Sequence, residues 1–465
     1  MEGTRRIGRR WPLALWLLPL VLVLGAAAWL AVVRLEGEPP AAALDAPSPW
    51  HLGTPVEVAI ELSDRKSGLR RFKATLLKDG REMVLAETGF PASGFLGLGG
   101  SRRETARLRI DPAALGLGDG KAELRVTVRD RSWRGWFNGN AAELKREVVV
   151  DTKPPVIEVL SREHYLNQGG AGLVVYRLSE ECPRSGVRVG TNFFPGHSGY
   201  YADRLLHIAF FALGHQQGPG TEIALEASDP AGNAATGRFY HLIRKKTFKK
   251  DRLSLSNEFI NQILPEFQAL LPNEPNATLK ERFLYINRDQ RRLDYEKMVE
   301  LTRRTHAMMH WKGPFLRLPN AAPRAGFADH RTYFYEGREI DRQDHLGVDL
   351  ASLAHAPVPA ANGGVVVFAG TLGIYGKTVV LDHGFGLFSM YSHLSQVSVN
   401  AGDRVAREQV LGNTGSTGLA GGDHLHFGIM IHNTFVDPVE WWDPAWIVNN
   451  VTSKLDAAGA AAPRG

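Results

Sequence analysis

Between Val56 and Val150 apolar and polar residues alternate in short runs, "PVEVAIELSD", "RRFKATLLKDG", "ETARLRIDP" and "KAELRVTVRD", with turn residues between them. Side chains two apart share one face of a strand, so this period commits the stretch to half-buried strands. Regular short strands with such turns predict a sandwich. In "VVVDTKPPVIEVLS", Pro154 and Pro155 break one unit and a strand opens the next. The two units carry a weak internal repeat. "ELRVTVRDRSWRGWFNGNAAELKREVVV" closes the first and "EIALEASDPAGNAATGRFYHLI" the second. Each has an alternating strand, an Asp-containing turn, Gly-Asn-Ala-Ala and another strand. Gly139–Asn140 and Gly232–Asn233 supply the permissive turn backbone.

Strand spacing and turn motif together resemble two tandem immunoglobulin-like modules of the bacterial extracellular type, placed at 48–152 and 153–243. Such modules space other domains or bind a protein partner, and the fold alone assigns no function. A basic and helical connector follows at 244–312, where apolar residues return at helical intervals. Ser256 and Asn276 are its expected helix caps, and Pro265 is expected to interrupt the first helix. Leu279, Phe283 and Ile286 give the second helix one apolar side, so the connector is expected to lie against a domain. Glycine-rich β-segments resume at 313–445, and the low-complexity stretch 446–465 is expected to lack order.

The chain of 465 residues is too long for one ordinary core. Its net charge of +6 fits attraction to an anionic polymer or membrane surface, but no dense Lys/Arg patch marks a nucleic-acid binder. A single cysteine, Cys182, excludes an intrachain disulfide and a thiolate metal cluster. At the N-terminus, Arg5, Arg6, Arg9 and Arg10 precede an uncharged run from Trp11 to Val33. About 20 apolar residues suffice to cross a hydrocarbon core, and the arginine excess orients the preceding residues inward. The reading is a cytoplasmic tail at 1–10, a transmembrane anchor at 11–33, a Pro/Ala-rich linker at 34–47, and the remainder outside the inner membrane.

The chemistry lies in the last quarter. "GGDHLHFGI" places His424 and His426 two apart, on one face if the segment is a strand. Upstream, "DHLGVDLA" sets His345 and Asp349 four apart, again one face of a strand, and "MYSHLS" adds His393 between them. Two imidazoles side by side serve a metal, a proton transfer or neither. Five such groups exceed the three ligands of a catalytic zinc, leaving two for proton transfer or oxyanion hydrogen bonding. A structural zinc closes all four positions, so the surplus fits a hydrolase better.

"HLGVD", "YSHLS" and "HLHFG", in this order, resemble the lysostaphin-type zinc metallopeptidases, also called LytM-domain or β-lytic peptidases. The likeness extends from Ala325 to Trp442 through "PVPAANGGVVVFAG", "YGKTVVLDHGFGLFSMYSHLS" and "VDPVEWW". It implies a small β-rich peptidase domain at 313–445, one zinc ion per catalytic domain, and cleavage of peptide bonds in peptidoglycan cross-links or stems. It assigns zinc to His345, Asp349 and His426, and catalysis to His393 and His424. Tyr391 is expected to pack, with substrate contact as the alternative. His383, His330 and His355 are expected in turns or loops, and Asn320 is a residue that could block the metal in a latent form. The whole is a mostly β, multidomain, membrane-anchored cell-wall enzyme. The rival is a non-enzymatic regulator that activates a separate wall hydrolase.

Overall fold

The computed structural model describes residues 14–92 and 99–461. The cytoplasmic tail at 1–10, residues 11–13 of the expected anchor and 462–465 of the expected tail lie outside the described residues. Two compact units emerge, Met1–Pro154 with Pro230–Asn233, and Pro155–Asp229 with Ala234–Gly465.

The first unit begins with a helix, Ala14–Arg34, that leaves Leu18, Leu22 and Val32 exposed. Among the described residues, which leave out 11–13 of the expected anchor, no helix is long and apolar enough to cross a membrane. Two sheets follow. One has five strands in the order Trp50–Leu52, Ala141–Val150, Gly120–Asp130, Leu69–Lys78, Arg81–Gly89; the other has three, Ala41–Leu44, Val56–Ser63, Arg103–Ile110. Alternation does what it promises. In Gly120–Asp130 the residues Ala122, Leu124, Val126 and Val128 turn inward, where they share a core with Phe72 of the same sheet and Ile60 and Leu108 of the other. The sheets establish a β-rich module and no more specific family.

The second unit joins three parts around one continuous core. Its first part holds a three-stranded sheet around Ala171–Leu178 and a four-stranded sheet around Arg184–Val189 and Ile223–Ser228. The helical part starts at Asn257–Phe267, capped by the Ser256 side chain as expected. Pro265 does not interrupt that helix but sits in its last turn. The next cap is Thr278, not Asn276: its side chain and that of Glu281 form a reciprocal capping box that an asparagine two residues earlier cannot reach. The helix then passes through a π-helical turn, Tyr285–Gln290, into Arg291–Leu301, burying Phe283 and Ile286.

The third part is an eight-stranded sheet. Its central order is Ala322–Ala325, Val348–Ala351, Leu425–Ile431, Leu387–Leu394, Lys377–Gly384, Gly364–Thr371. This region does not keep a core to itself. Phe210 of the first part stacks within 6.4 Å of Trp311 and 6.1 Å of Trp441. Residues 446–461, expected without order, are helical instead: Val451, Leu455 and Ala458 are buried and Tyr201 donates to the Leu455 carbonyl at 2.7 Å. Low complexity hid an apolar face at helical spacing.

Candidate metal centre and active site

Antiparallel pairing sets Asp349 directly opposite His426, on the strands Val348–Ala351 and Leu425–Ile431. Directly opposed residues bring their side chains together on one face of a sheet. His345 arrives differently from the sequence expectation of one strand spanning His345 to Asp349. That strand starts only at Val348, and His345 lies in the preceding bend. Gly347 makes this approach possible: a Cβ there would stand 2.5 Å from the His426 ring. The bend is pinned by backbone bonds from Ala328 N–H to the His345 carbonyl and from His345 N–H to the Asp329 carbonyl, 2.6 and 3.1 Å.

The three ligand atoms form a nearly equilateral triangle. His345 Nε2, Asp349 Oδ1 and His426 Nδ1 are each 2.9 Å from the other two. All three residues are buried. His345 Nδ1 faces the Gly326 carbonyl at 2.8 Å; a carbonyl only accepts, so Nδ1 carries the hydrogen and Nε2 presents a lone pair. That lone pair confronts a carboxylate oxygen, an electron-rich contact that a cation at the centre of the triangle would relieve. Two imidazole nitrogens and one carboxylate oxygen are a donor set suited to zinc, with room for a fourth ligand. Arg331 holds the other carboxylate oxygen of Asp349 at 3.0 Å, the kind of outer contact that orients a metal ligand.

His393 reaches this face through a break in its strand. Val379 pairs with Tyr391, but Lys377 pairs with Leu394, so the His393 strand carries one extra residue. His393 takes φ +62° at that bulge. Regular alternation would have put it on the Tyr391 side; the bulge turns it toward His424 and His426, at ring-centre distances of 4.8 and 5.8 Å. His424 sits just before its strand, its ring nitrogen Nε2 3.6 Å from Asp349 Oδ1. Both residues donate through Nδ1 to carbonyls, His393 to Thr417 and His424 to Gly422, each at 2.8 Å. This leaves Nε2 of each ring facing away from its carbonyl, that of His424 toward the Asp349 carboxylate. Burial, then the charges of His424 and His426, hold His393 well below the usual imidazole range. His424 feels the same burial, but the Asp349 carboxylate outweighs it and raises the pKa. The two imidazoles thus differ in surroundings: His424 faces the Asp349 carboxylate, and His393 the rings of His424 and His426.

All five expected site residues line one cleft of about 490 Å³. Tyr391 does not. It is buried, its hydroxyl accepts from Ala361 N–H at 2.7 Å, and its ring packs 5.3 Å from Phe427, the packing position expected of it. His383 is buried between the Gly363 carbonyl and Ser389, and Asn320 is absent from the lining. Sequence reasoning missed Gly347, Arg331 and the contribution of the connector. Its strand Lys250–Leu255 pairs in parallel with His330–Tyr335, and Arg252, Phe259 and Phe283 form part of the cleft wall. Arg324, exposed on the strand Ala322–Ala325, lines the same cleft.

Residues 343–438 match the description "Peptidase family M23". Among curated proteins, the chain is 40% identical over 95 residues to the DD-carboxypeptidase/endopeptidase Mpg of Neisseria meningitidis serogroup B, covering 20% of this chain and 22% of that protein. It is 34% identical over 96 residues to the peptidoglycan DD-endopeptidase ShyA of Vibrio cholerae, covering 21% and 22%. Among solved structures, the catalytic domain of lysostaphin from Staphylococcus simulans is 30% identical, with a TM-score of 0.24, over 28% of this chain and 96% of that one. The matched segment spans about a fifth of the length of these curated relatives.

Proposed function

We infer, from the premise that residues 343–438 are a peptidase family M23 domain, that this chain is a zinc metalloendopeptidase hydrolysing peptide bonds in peptidoglycan cross-links or stems. The observation that carries the reading is the 2.9 Å triangle of His345, Asp349 and His426 with two further imidazoles beside it. A zinc ion held by the triangle would supply Lewis acidity toward a carbonyl and acidify water. The chain's own residues do the rest. Arg331 fixes the Asp349 carboxylate. His393 and His424, both oriented by carbonyls through Nδ1, divide two roles at Nε2: one accepts a proton and the other donates a hydrogen bond to the oxygen that gains charge. The intact set of five residues favours an enzyme over the regulator that would only activate another hydrolase.

Arg252 and Arg324 make the cleft wall cationic, which suits a peptide carrying free carboxylates, as wall stem peptides do. The relatives named as DD-endopeptidases point the same way. Placement outside the cytoplasmic membrane, with attachment through the run Trp11–Val33, rests on the sequence pattern and on the location of the substrate. The β-modules are proposed as spacers or as a surface for a protein partner.

Purified peptidoglycan incubated with the full chain and zinc, followed by mass spectrometry, tests the reading. Release of peptides with new termini, abolished by a chelator and restored by zinc, is expected. An unchanged fragment pattern with zinc bound would refute it and favour the regulator.

A further inference from the structure

The Asp-containing turn of the internal repeat has a role that the hydrolase does not use. Asp130 closes the strand Gly120–Asp130, Asp64 follows the strand Val56–Ser63 of the other sheet, and Glu36 lies two residues past the helix Ala14–Arg34. Their carboxylate oxygens converge within 4.8 Å of one another. All three residues are buried, with relative exposures of 4% for Glu36, 6% for Asp64 and 0% for Asp130.

Each carboxylate is anchored by backbone amides. Glu36 Oε1 accepts from Ser67 N–H at 2.7 Å. Asp64 Oδ2 accepts from Lys66 and Gly68, 3.0 and 2.6 Å. Asp130 Oδ1 accepts from Ser132 and Asn140, 2.9 and 2.7 Å, and Oδ2 from the Asn140 side chain, 2.8 Å. Glu36 Oε2, in contrast, is buried with no hydrogen-bond partner. An ionised oxygen left this way is costly. Burial first, and then the charges of Asp64 and Asp130, raise the Glu36 pKa against the opposing pull of the Ser67 hydroxyl and N–H. The Gly-Asn motif serves this arrangement: Gly139 takes φ +77°, a Cβ there would stand 2.2 Å from the Asp130 carbonyl, and Asn140 is thereby laid against Asp130.

We propose that Glu36, Asp64 and Asp130 bind a calcium ion that clamps the segment after the first helix onto both sheets. The donors are all oxygen, which selects a hard cation. Calcium bonds oxygen at about 2.3–2.6 Å in flexible geometry, so oxygens up to about twice that distance apart can share one ion, whereas magnesium demands a tighter octahedron and keeps its waters.

The test uses the full chain, zinc-loaded and freed of calcium, titrated with calcium chloride. Bound calcium is counted by mass spectrometry of the metal, and unfolding is followed by scanning calorimetry. Wild type should gain calcium and a rise of about 2–8 °C in the first unfolding transition. Glu36→Gln should bind one calcium fewer and lose that rise, while melting no lower than wild type in calcium-free buffer because one of three like charges is gone. Asp64→Asn provides the same reading if Glu36→Gln fails to fold. Equal calcium content in wild type and variant, no calcium bound at millimolar concentration, or an equal rise with magnesium would overturn the assignment.

Discussion

Two of the three-residue clusters among the described residues solve opposite problems. In the M23 domain, His345, Asp349 and His426 crowd two imidazoles and one carboxylate, and two more imidazoles stand beside them. In the first unit, Glu36, Asp64 and Asp130 crowd three carboxylates, each anchored by backbone amides. Mixed nitrogen and oxygen ligands with groups left over make a reactive centre. Oxygen ligands alone make a clasp. The donor set and what stands beside it, rather than convergence as such, separates chemistry from architecture. Another buried carboxylate, Glu440, is the control. Both its oxygens are used, accepting from Asn167 and from Ala171 N–H at 2.7 and 2.9 Å, and burial raises its pKa to about 7. Its burial is answered by two hydrogen bonds and a raised pKa.

The largest expected effect comes from removing a ligand. His426→Ala should abolish both stoichiometric zinc and peptidoglycan hydrolysis, read by metal analysis and fragment release. His424→Ala should keep zinc and lose about 10²–10⁴-fold in kcat. Full activity in His424→Ala would remove the distinction between ligands and bystanders on which the contrast stands. Next come the supports: Arg331→Gln should weaken zinc affinity or activity by about 10–100-fold, measured by competition with a chromophoric chelator. Gly347→Ala should weaken zinc binding in the same assay, since the added methyl meets the His426 ring.

The smallest effect concerns stability and pH. The folded Glu440 carboxyl titrates near 7 against 4.5 when free, so its contribution is full below about pH 4.5 and is lost as pH rises through 7. The loss is on the order of 1–3 kcal/mol. Glu440→Gln should flatten the melting temperature between pH 5 and 8.

Legibility in the sequence followed locality. "HLGVD" and "HLHFG" each put two site residues within five positions, and family likeness supplied the rest. Strand alternation likewise announced Ala122 to Val128 as an inward face. What stayed hidden depends on pairing between distant segments. Nothing near His393 signals the extra residue that turns it toward the site, because a bulge is defined by the partner strand. Arg331 meets Asp349 only after two sheets are assembled, and Glu36 meets Asp130 across 94 positions of chain. The shared core of Phe210, Trp311 and Trp441 is hidden for the same reason.

The most direct measurement is zinc titration of the metal-free full chain, with zinc content and peptidoglycan fragments scored on the same samples. One zinc per chain bound through His345, Asp349 and His426, with cross-link or stem peptides released in proportion to zinc occupancy, is the predicted result. A chain that binds no zinc, or fills the site and leaves every wall peptide uncut, would contradict it.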